Sequence, residues 1–207
     1  MAYTYKNPTG GRAIDSRRTF VDALDGQSVL QIGTFKDFFH DAERLVKNEY
    51  PAVTGGALSN VRGNWYEWLI TLGMLEFHRN HKNAHYLLPL PNISQYDCAK
   101  LYQDRIYAYI QDLRAKVAVS ADVSLITSNP DFVIIDNEVE VELPEPLEGE
   151  ITADYLQEIG QAYQKLEHRC ALDQIKGYAA VKSSLRPDRR LQIAHEGSLM
   201  KALYKHV

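Results

Sequence analysis

The sequence predicts an α/β protein in which a central mixed β-sheet is flanked by helices. Three observations carry that prediction. Apolar residues recur at helical spacing in three separate stretches before residue 120. A short, almost wholly apolar run, Phe132-Val133-Ile134-Ile135, follows directly after Pro130-Asp131 and reads as a buried strand. A second short strand pattern, Ala179-Ala180-Val181-Lys182, lies beyond an intervening helical stretch.

Taken in order, residues 1–16 form a polar, Gly- and Pro-containing lead-in. Residues 35–50 predict the first helix, because Phe35, Phe38, Phe39, Ala42, Leu45 and Val46 share one face and Pro51 stops it. Thr54-Gly55-Gly56 then reads as loop. The next helix is expected over residues 65–79, with Trp65, Trp68, Leu69, Leu72 and Leu75 as its apolar stripe and Glu67 off that stripe. A third is expected over residues 97–117, carrying Tyr102, Ile106, Tyr109, Ile110 and Leu113. Val123-Ser124-Leu125-Ile126-Thr127 leads into Ser128-Asn129-Pro130, ahead of the strand at 131–135. Residues 136–150 hold seven acids and no base, a pattern expected of a solvated edge. A long helix is expected over residues 153–178, and a last one from Pro187, a favoured first helical residue, to about 204.

The bulk properties narrow the possibilities. A chain of 207 residues buries one good core, so a single domain over 1–207 is expected. Its helical part would occupy about 17–120 and its chemistry about 121–207. No apolar leader follows the N-terminal residues and no run reaches membrane-spanning length, so no membrane role is expected. Cys98 and Cys170 lie far apart without metal-ligand spacing, which fits a reducing, cytoplasmic setting. The net charge of −4 argues against unspecific coating of nucleic acid but leaves room for a local basic surface.

The residues that carry chemistry are concentrated late in the chain. Cleaving a phosphodiester requires carboxylates that hold divalent ions, and a cation that orients the nucleophile and offsets transition-state charge. Asp131 at one strand start and Lys182 at another strand end suit those tasks if the strands are neighbours. In many metal nucleases a second acid stands two residues before the lysine; here that residue is Ala180, and Glu196 takes its place. On a helix, Arg189 and Glu196 fall on nearly one face, two turns and roughly 10 Å apart. Arginine forks suit guanine O6 and N7, and aspartate accepts from cytosine N4, so Arg186, Asp188 and Arg189 have the chemistry to read C·G pairs.

Each piece alone has an ordinary structural reading. Asp131 would cap a turn, Lys182 and Glu196 would be solvated, and the arginines would pair with the acidic run. Together they fall in the order that one mechanism needs, that of a metal-dependent nuclease recognising its own DNA sequence. Other candidates are set aside. His78, His81 and His85 read as surface histidines, His195 as a packing or surface residue, and the Tyr102–Tyr109 and Trp65/Trp68 aromatics as core. For Cys170 no histidine partner is evident in the sequence.

Several longer segments then resemble one family. They are residues 63–70 around Glu67, residues 125–132 ending Pro130-Asp131-Phe132, Val181-Lys182 running into Arg186-Pro187-Asp188-Arg189-Arg190, and residues 194–204 around Glu196. The chain resembles type II restriction endonucleases of the PD-(D/E)XK superfamily, in the CCGG-recognising group that cuts purine-CCGG-pyrimidine (RCCGGY) sites. The spacing of a Pro-Asp pair, a long gap, then a lysine with a glutamate fourteen residues on is characteristic of that group. The resemblance spans most of residues 60–206 and is weak over the first 55.

The resemblance implies a restriction-endonuclease-like core. It implies that Asp131 and Glu196 hold Mg²⁺, that Lys182 is the catalytic lysine, and that Glu67 is an additional active-site acid. It assigns Arg186, Asp188 and Arg189 to the inner C·G pairs. The implied reaction is hydrolysis of both strands of double-stranded DNA, leaving four-base 5′ overhangs, by a homodimer or homotetramer in the bacterial cytoplasm. A cognate DNA methyltransferase is expected by analogy. The family's chain continues past His206-Val207, with a further strand and oligomer contacts, so a C-terminal part is expected beyond this sequence. If that part is absent, activity and assembly are in question. A DNA repair nuclease on the same core, or a sequence-specific DNA-binding domain without activity, therefore remain as alternatives.

Overall fold

The computed structural model describes residues 2–8, 10–81, 83–121, 130–139, 142 and 150–181. Their compact units are two, one from Met1–Asn80 with Glu145–Ile159 and one from His81–Pro144 with Gly160–Val207.

The first unit is mainly helical. It begins with a hairpin, β1 (Thr4–Lys6) and β2 (Arg12–Ile14), paired Thr4 to Ile14 and Lys6 to Arg12. The turn between them includes Gly10 at φ +83°, a conformation that glycine adopts without a side-chain clash. Helix α1 (Ser16–Leu24) starts on Asp15, whose carboxylate accepts the Arg18 N–H, and ends where Asp25 and Gly26 turn left-handed. Helix α2 (Phe35–Glu49) starts on Thr34, whose side chain accepts the Asp37 N–H, and stops before Pro51, close to the predicted span.

Helix α3 (Gly55–Asn80) begins ten residues before the predicted start. Thr54 explains the difference: its Oγ1 accepts the Ala57 N–H at 3.2 Å and its carbonyl accepts the Leu58 N–H at 3.1 Å. A threonine cap contributes about 1 kcal/mol, which offsets the comparable cost of a glycine in the first turn. Trp65 is fully buried and its Nε1–H donates to the Ser16 carbonyl at 2.9 Å, which holds the start of α1 against α3. The core gathers Phe20, Phe38, Val46, Trp65, Leu69 and Leu72, joined by Leu156 and Ile159 from helix α5 (Ala153–Gln161). Inside this unit Glu43 is buried yet charged. Burial opposes the charge, but hydrogen bonds from Lys47 and Arg62 outweigh it and hold the carboxyl below its ordinary range.

The second unit is built on a three-stranded antiparallel sheet in the order β3-β4-β5, with β3 at Tyr86–Pro89, β4 at Phe132–Ile135 and β5 at Ile175–Ala179. All strand pairings among the described residues are antiparallel. The predicted strand at 131–135 is β4, buried along most of its length as its apolar run requires. Val133 and Ile135 pack with Leu88, Leu101, Ile110, Leu166 and Cys170 in one core.

Two predicted helices take different forms here. Residues 97–117 divide into a 3₁₀ turn (Cys98–Leu101) and helix α4 (Asp104–Ala121). Between them Tyr102 leaves the helical path to form a parallel bridge with Cys170, and the Gln103 N–H donates to the Cys170 carbonyl at 2.9 Å. Residues 153–178, predicted as one helix, become α5, two 3₁₀ turns (Ala162–Leu166 and Leu172–Gln174) and β5. The same contact explains both. His168 and Cys170 donate their N–H groups to the Lys100 and Leu101 carbonyls, and His168 takes φ +60° to do so. Helical residues bond to carbonyls four positions back, so this pairing keeps a helix from resuming after the 3₁₀ turn at Ala162–Leu166. The helix predicted from Pro187 to about 204 lies outside the described residues.

Candidate active site

Three stretches of backbone converge on Asp131 in the second unit. Pro130 precedes it and offers no N–H, so the strand ladder begins only after it. The Asp131 carbonyl accepts the Leu90 N–H at 2.9 Å, which ties it to the chain leaving β3. On its other side β4 pairs with β5 so that Phe132 faces Ala179. Two residues past that pair, the Val181 N–H donates to Asp131 Oδ2 at 2.5 Å. Half-buried Asp131 is therefore held on two sides, its backbone carbonyl by the chain leaving β3 and its carboxylate by the chain leaving β5.

The strand expected over 179–182 instead runs over Ile175–Ala179 as β5; it is the neighbour of β4, and beyond it the chain is described as far as Val181. Lys182 itself, Arg186, Asp188, Arg189 and Glu196 lie outside the described residues. Glu67 sits half-buried on α3 in the first unit, where its carbonyl accepts the Thr71 hydroxyl at 2.8 Å. The site element that sequence reasoning missed is the Val181 backbone N–H. Every residue but proline carries that donor, so composition and spacing contain no signal for it.

The opposite end of β4 has its own charges. Asp136 Oδ2 meets Lys176 Nζ at 2.5 Å, and its Oδ1 accepts the Glu138 N–H at 3.0 Å. The Lys176 hydrogen bond, followed by the one from Glu138, holds the Asp136 carboxyl below its usual range, and the same pair raises Lys176. The acidic run thus does not begin as a solvated edge: Asp136 is buried.

The two thiols are not nucleophiles in this setting. Burial pushes Cys98 up to about 12 and Cys170 up to about 11, so both stay protonated near neutral pH. Asp131 would offer a divalent ion a hard carboxylate oxygen, the donor type that Mg²⁺ takes. Among the described residues no group of three or more His, Cys, Asp or Glu side chains gathers to hold an ion, so Asp131 would need partners from elsewhere in the chain. Nor is any described helix long and apolar enough to cross a membrane.

Residues 14–207 match the family model described as Cfr10I/Bse634I restriction endonuclease. The chain is 38% identical over 177 residues to the type II restriction enzyme Cfr10I of Citrobacter freundii, a match covering 83% of this chain and 61% of that enzyme. It thus spans about three fifths of the length of that relative. Among solved structures it superposes on Bse634I restriction endonuclease with a TM-score of 0.85 at 27% identity, over 98% of this chain and 72% of that one. A type IIF Bse634I structure with cognate DNA gives a TM-score of 0.83 at 25% identity over the same shares.

Proposed function

Because this chain belongs to the Cfr10I/Bse634I restriction endonuclease family and shares its α/β fold, we propose that it is a type II site-specific deoxyribonuclease acting on double-stranded DNA. The reaction is Mg²⁺-dependent hydrolysis of both strands at purine-CCGG-pyrimidine sites, leaving four-base 5′ overhangs. The observation that carries the reading is the 2.5 Å hydrogen bond from Val181 to Asp131, which brings the residue next to Lys182 onto the proposed metal-binding acid.

Asp131 and Glu196 are the residues that hold the metal. When bound, Mg²⁺ supplies an acidified water and neutralises charge on the phosphate. Lys182 orients the nucleophile and adds a positive charge beside the reacting phosphate. Glu67 is an additional acid of the site. Arg186 and Arg189 donate to guanine, and Asp188 accepts from cytosine, in the inner C·G pairs. The support for these roles is the chemistry of each side chain, its spacing and the family resemblance. A palindromic target suits two-fold assembly, with each subunit reading one half-site, so the working form is a homodimer or homotetramer. Its setting is the bacterial cytoplasm, within restriction–modification defence and beside a cognate methyltransferase.

The test uses two plasmids that differ by one GCCGGC site, incubated with this chain in Mg²⁺ or EDTA. A single Mg²⁺-dependent cut in the site-bearing plasmid alone is the expected result. Site-specific binding in Ca²⁺ without any cut would refute the nuclease and leave a DNA-binding domain. Cutting of both plasmids alike would refute the site specificity and favour a repair-type nuclease.

A further inference from the structure

The strand leading toward Lys182 contains one residue more than its partner. Phe132 faces Ala179, Val133 faces Tyr178 and Ile134 faces Gly177, but Ile135 then faces Ile175. Lys176 is left without a cross-strand partner, the signature of a β-bulge. Pairing resumes beyond it, where the Asp136 N–H donates to the Gln174 carbonyl at 2.8 Å. Side chains on a regular strand alternate, so residues three apart face opposite sides. Ile175 and Tyr178 nevertheless pack on the same core, because the extra residue reverses the phase of everything after it.

That reversal reaches the candidate active site. Had the register at Ile135–Ile175 continued unbroken, Ala179 would face Asp131 and Val181 would lie beyond it. With the bulge, Ala179 faces Phe132 and the Val181 N–H meets the Asp131 carboxylate. Something must keep the extra residue in place, since Gly177 beside it imposes little backbone preference and offers the bulge an easy path along the strand. The side chain of the extra residue itself does so. Lys176 Nζ lies 2.5 Å from Asp136 Oδ2, and that carboxylate is itself fixed by the Glu138 N–H.

We propose that Lys176 is a positioning residue for DNA cleavage: its ion pair with Asp136 pins the bulge and so sets the register that brings the Val181 N–H, one position before Lys182 in the sequence, to Asp131. The proposal rests on the roles given to Asp131 and Lys182 under Proposed function. It assigns Lys176 no contact with DNA or metal.

The test compares the wild-type chain with Lys176→Met, which keeps the aliphatic stem, and with Lys176→Arg and Asp136→Asn. The first readout is amide hydrogen exchange at Val181 in isotope-labelled, metal-free protein. The second is single-turnover plasmid cleavage in Mg²⁺, alongside specific DNA binding in Ca²⁺. Lys176→Met and Asp136→Asn should each speed Val181 exchange about tenfold, the equivalent of one lost hydrogen bond. They should slow cleavage by up to about 100-fold, the scale of an ångström-sized misplacement, with binding unchanged. Lys176→Arg should recover both. Wild-type exchange at Val181 in Lys176→Met overturns the proposal, whatever happens to cleavage. Parallel loss of binding and cleavage, in proportion to the folded fraction, also overturns it by making the role merely structural. A wild-type chain that cuts nothing refutes the nuclease reading and the positioning role with it, while Val181 exchange still decides whether Lys176 pins the register.

Discussion

Replacing Asp131 by asparagine separates what this side chain does for the fold from what it does for chemistry. The amide oxygen keeps the shape of Oδ2 and still accepts the Val181 N–H, and the backbone bond from Leu90 to the residue-131 carbonyl is untouched. What the fold loses is the charge on one hydrogen bond, a difference of about 1 kcal/mol. For a chain of this size that lowers Tm by about 2–4 °C. Catalysis loses far more, because a neutral amide is a poor ligand for a hard divalent ion. If the lost transition-state stabilisation is about 4 kcal/mol, cleavage slows about 1000-fold. The assay pairs a thermal melt followed by circular dichroism with single-turnover cleavage of the one-site plasmid. Asp131→Leu provides the contrast: it leaves the Val181 N–H without its acceptor and should cost a further 1–3 kcal/mol, about the penalty of an unsatisfied donor. An Asp131→Asn chain that cuts at nearly the wild-type rate would refute the ligand role. One that melts as low as Asp131→Leu would show that the charge serves the fold.

Four other outcomes are expected. Lys182→Ala should abolish cleavage while DNA binding in Ca²⁺ persists; a wild-type cleavage rate would remove that lysine from the mechanism. Arg189→Ala should lose about 1–3 kcal/mol of discrimination at the inner C·G pairs, measured by competition between cognate and altered cores, and unaltered discrimination would end its reading role. Trp65→Phe removes the donor to the Ser16 carbonyl and should cost about 1–2 kcal/mol in urea unfolding, and an unmoved midpoint would show that the contact contributes nothing. The fourth concerns acid. Burial opposes the Asp97 charge, but Arg114, the Ala99 N–H and Gln111 outweigh it and hold the carboxyl below its ordinary value. A depressed folded value means that the stabilisation is complete above the unfolded carboxylate value of about 3.9 and disappears as pH falls through the lower folded one. Urea midpoints should therefore drop on acidification, and less steeply in Arg114→Met; identical acid limbs would refute the link.

Residues with self-contained local signals were legible. Helix α2 has its cap at Thr34, its apolar face and its stop at Pro51 within one stretch of sequence, and it forms nearly where predicted. Strand β4 likewise announces itself as an apolar run behind Pro130-Asp131. The start of α3 was misread because Gly55 and Gly56 argue for a loop, whereas the cap from Thr54 makes the first turn tolerable for them. Strand β5 was misread for another reason. Its bulge at Lys176 breaks the period-two alternation, so Ile175 and Tyr178 share a face at a spacing that imitates a helix.

By itself the sequence determined the α/β class, the apolar faces of α2 and α3 and the identity of the acid that opens β4, because each depends on neighbours a few positions apart. Tertiary structure decided the rest. Tyr102 and Cys170 divide two predicted helices between them, and Val181 reaches Asp131 from 50 positions away. Such contacts each use a backbone N–H, which every residue but proline carries. Their partners are chosen by which strands and turns the core brings side by side, and no local pattern of side chains records that choice.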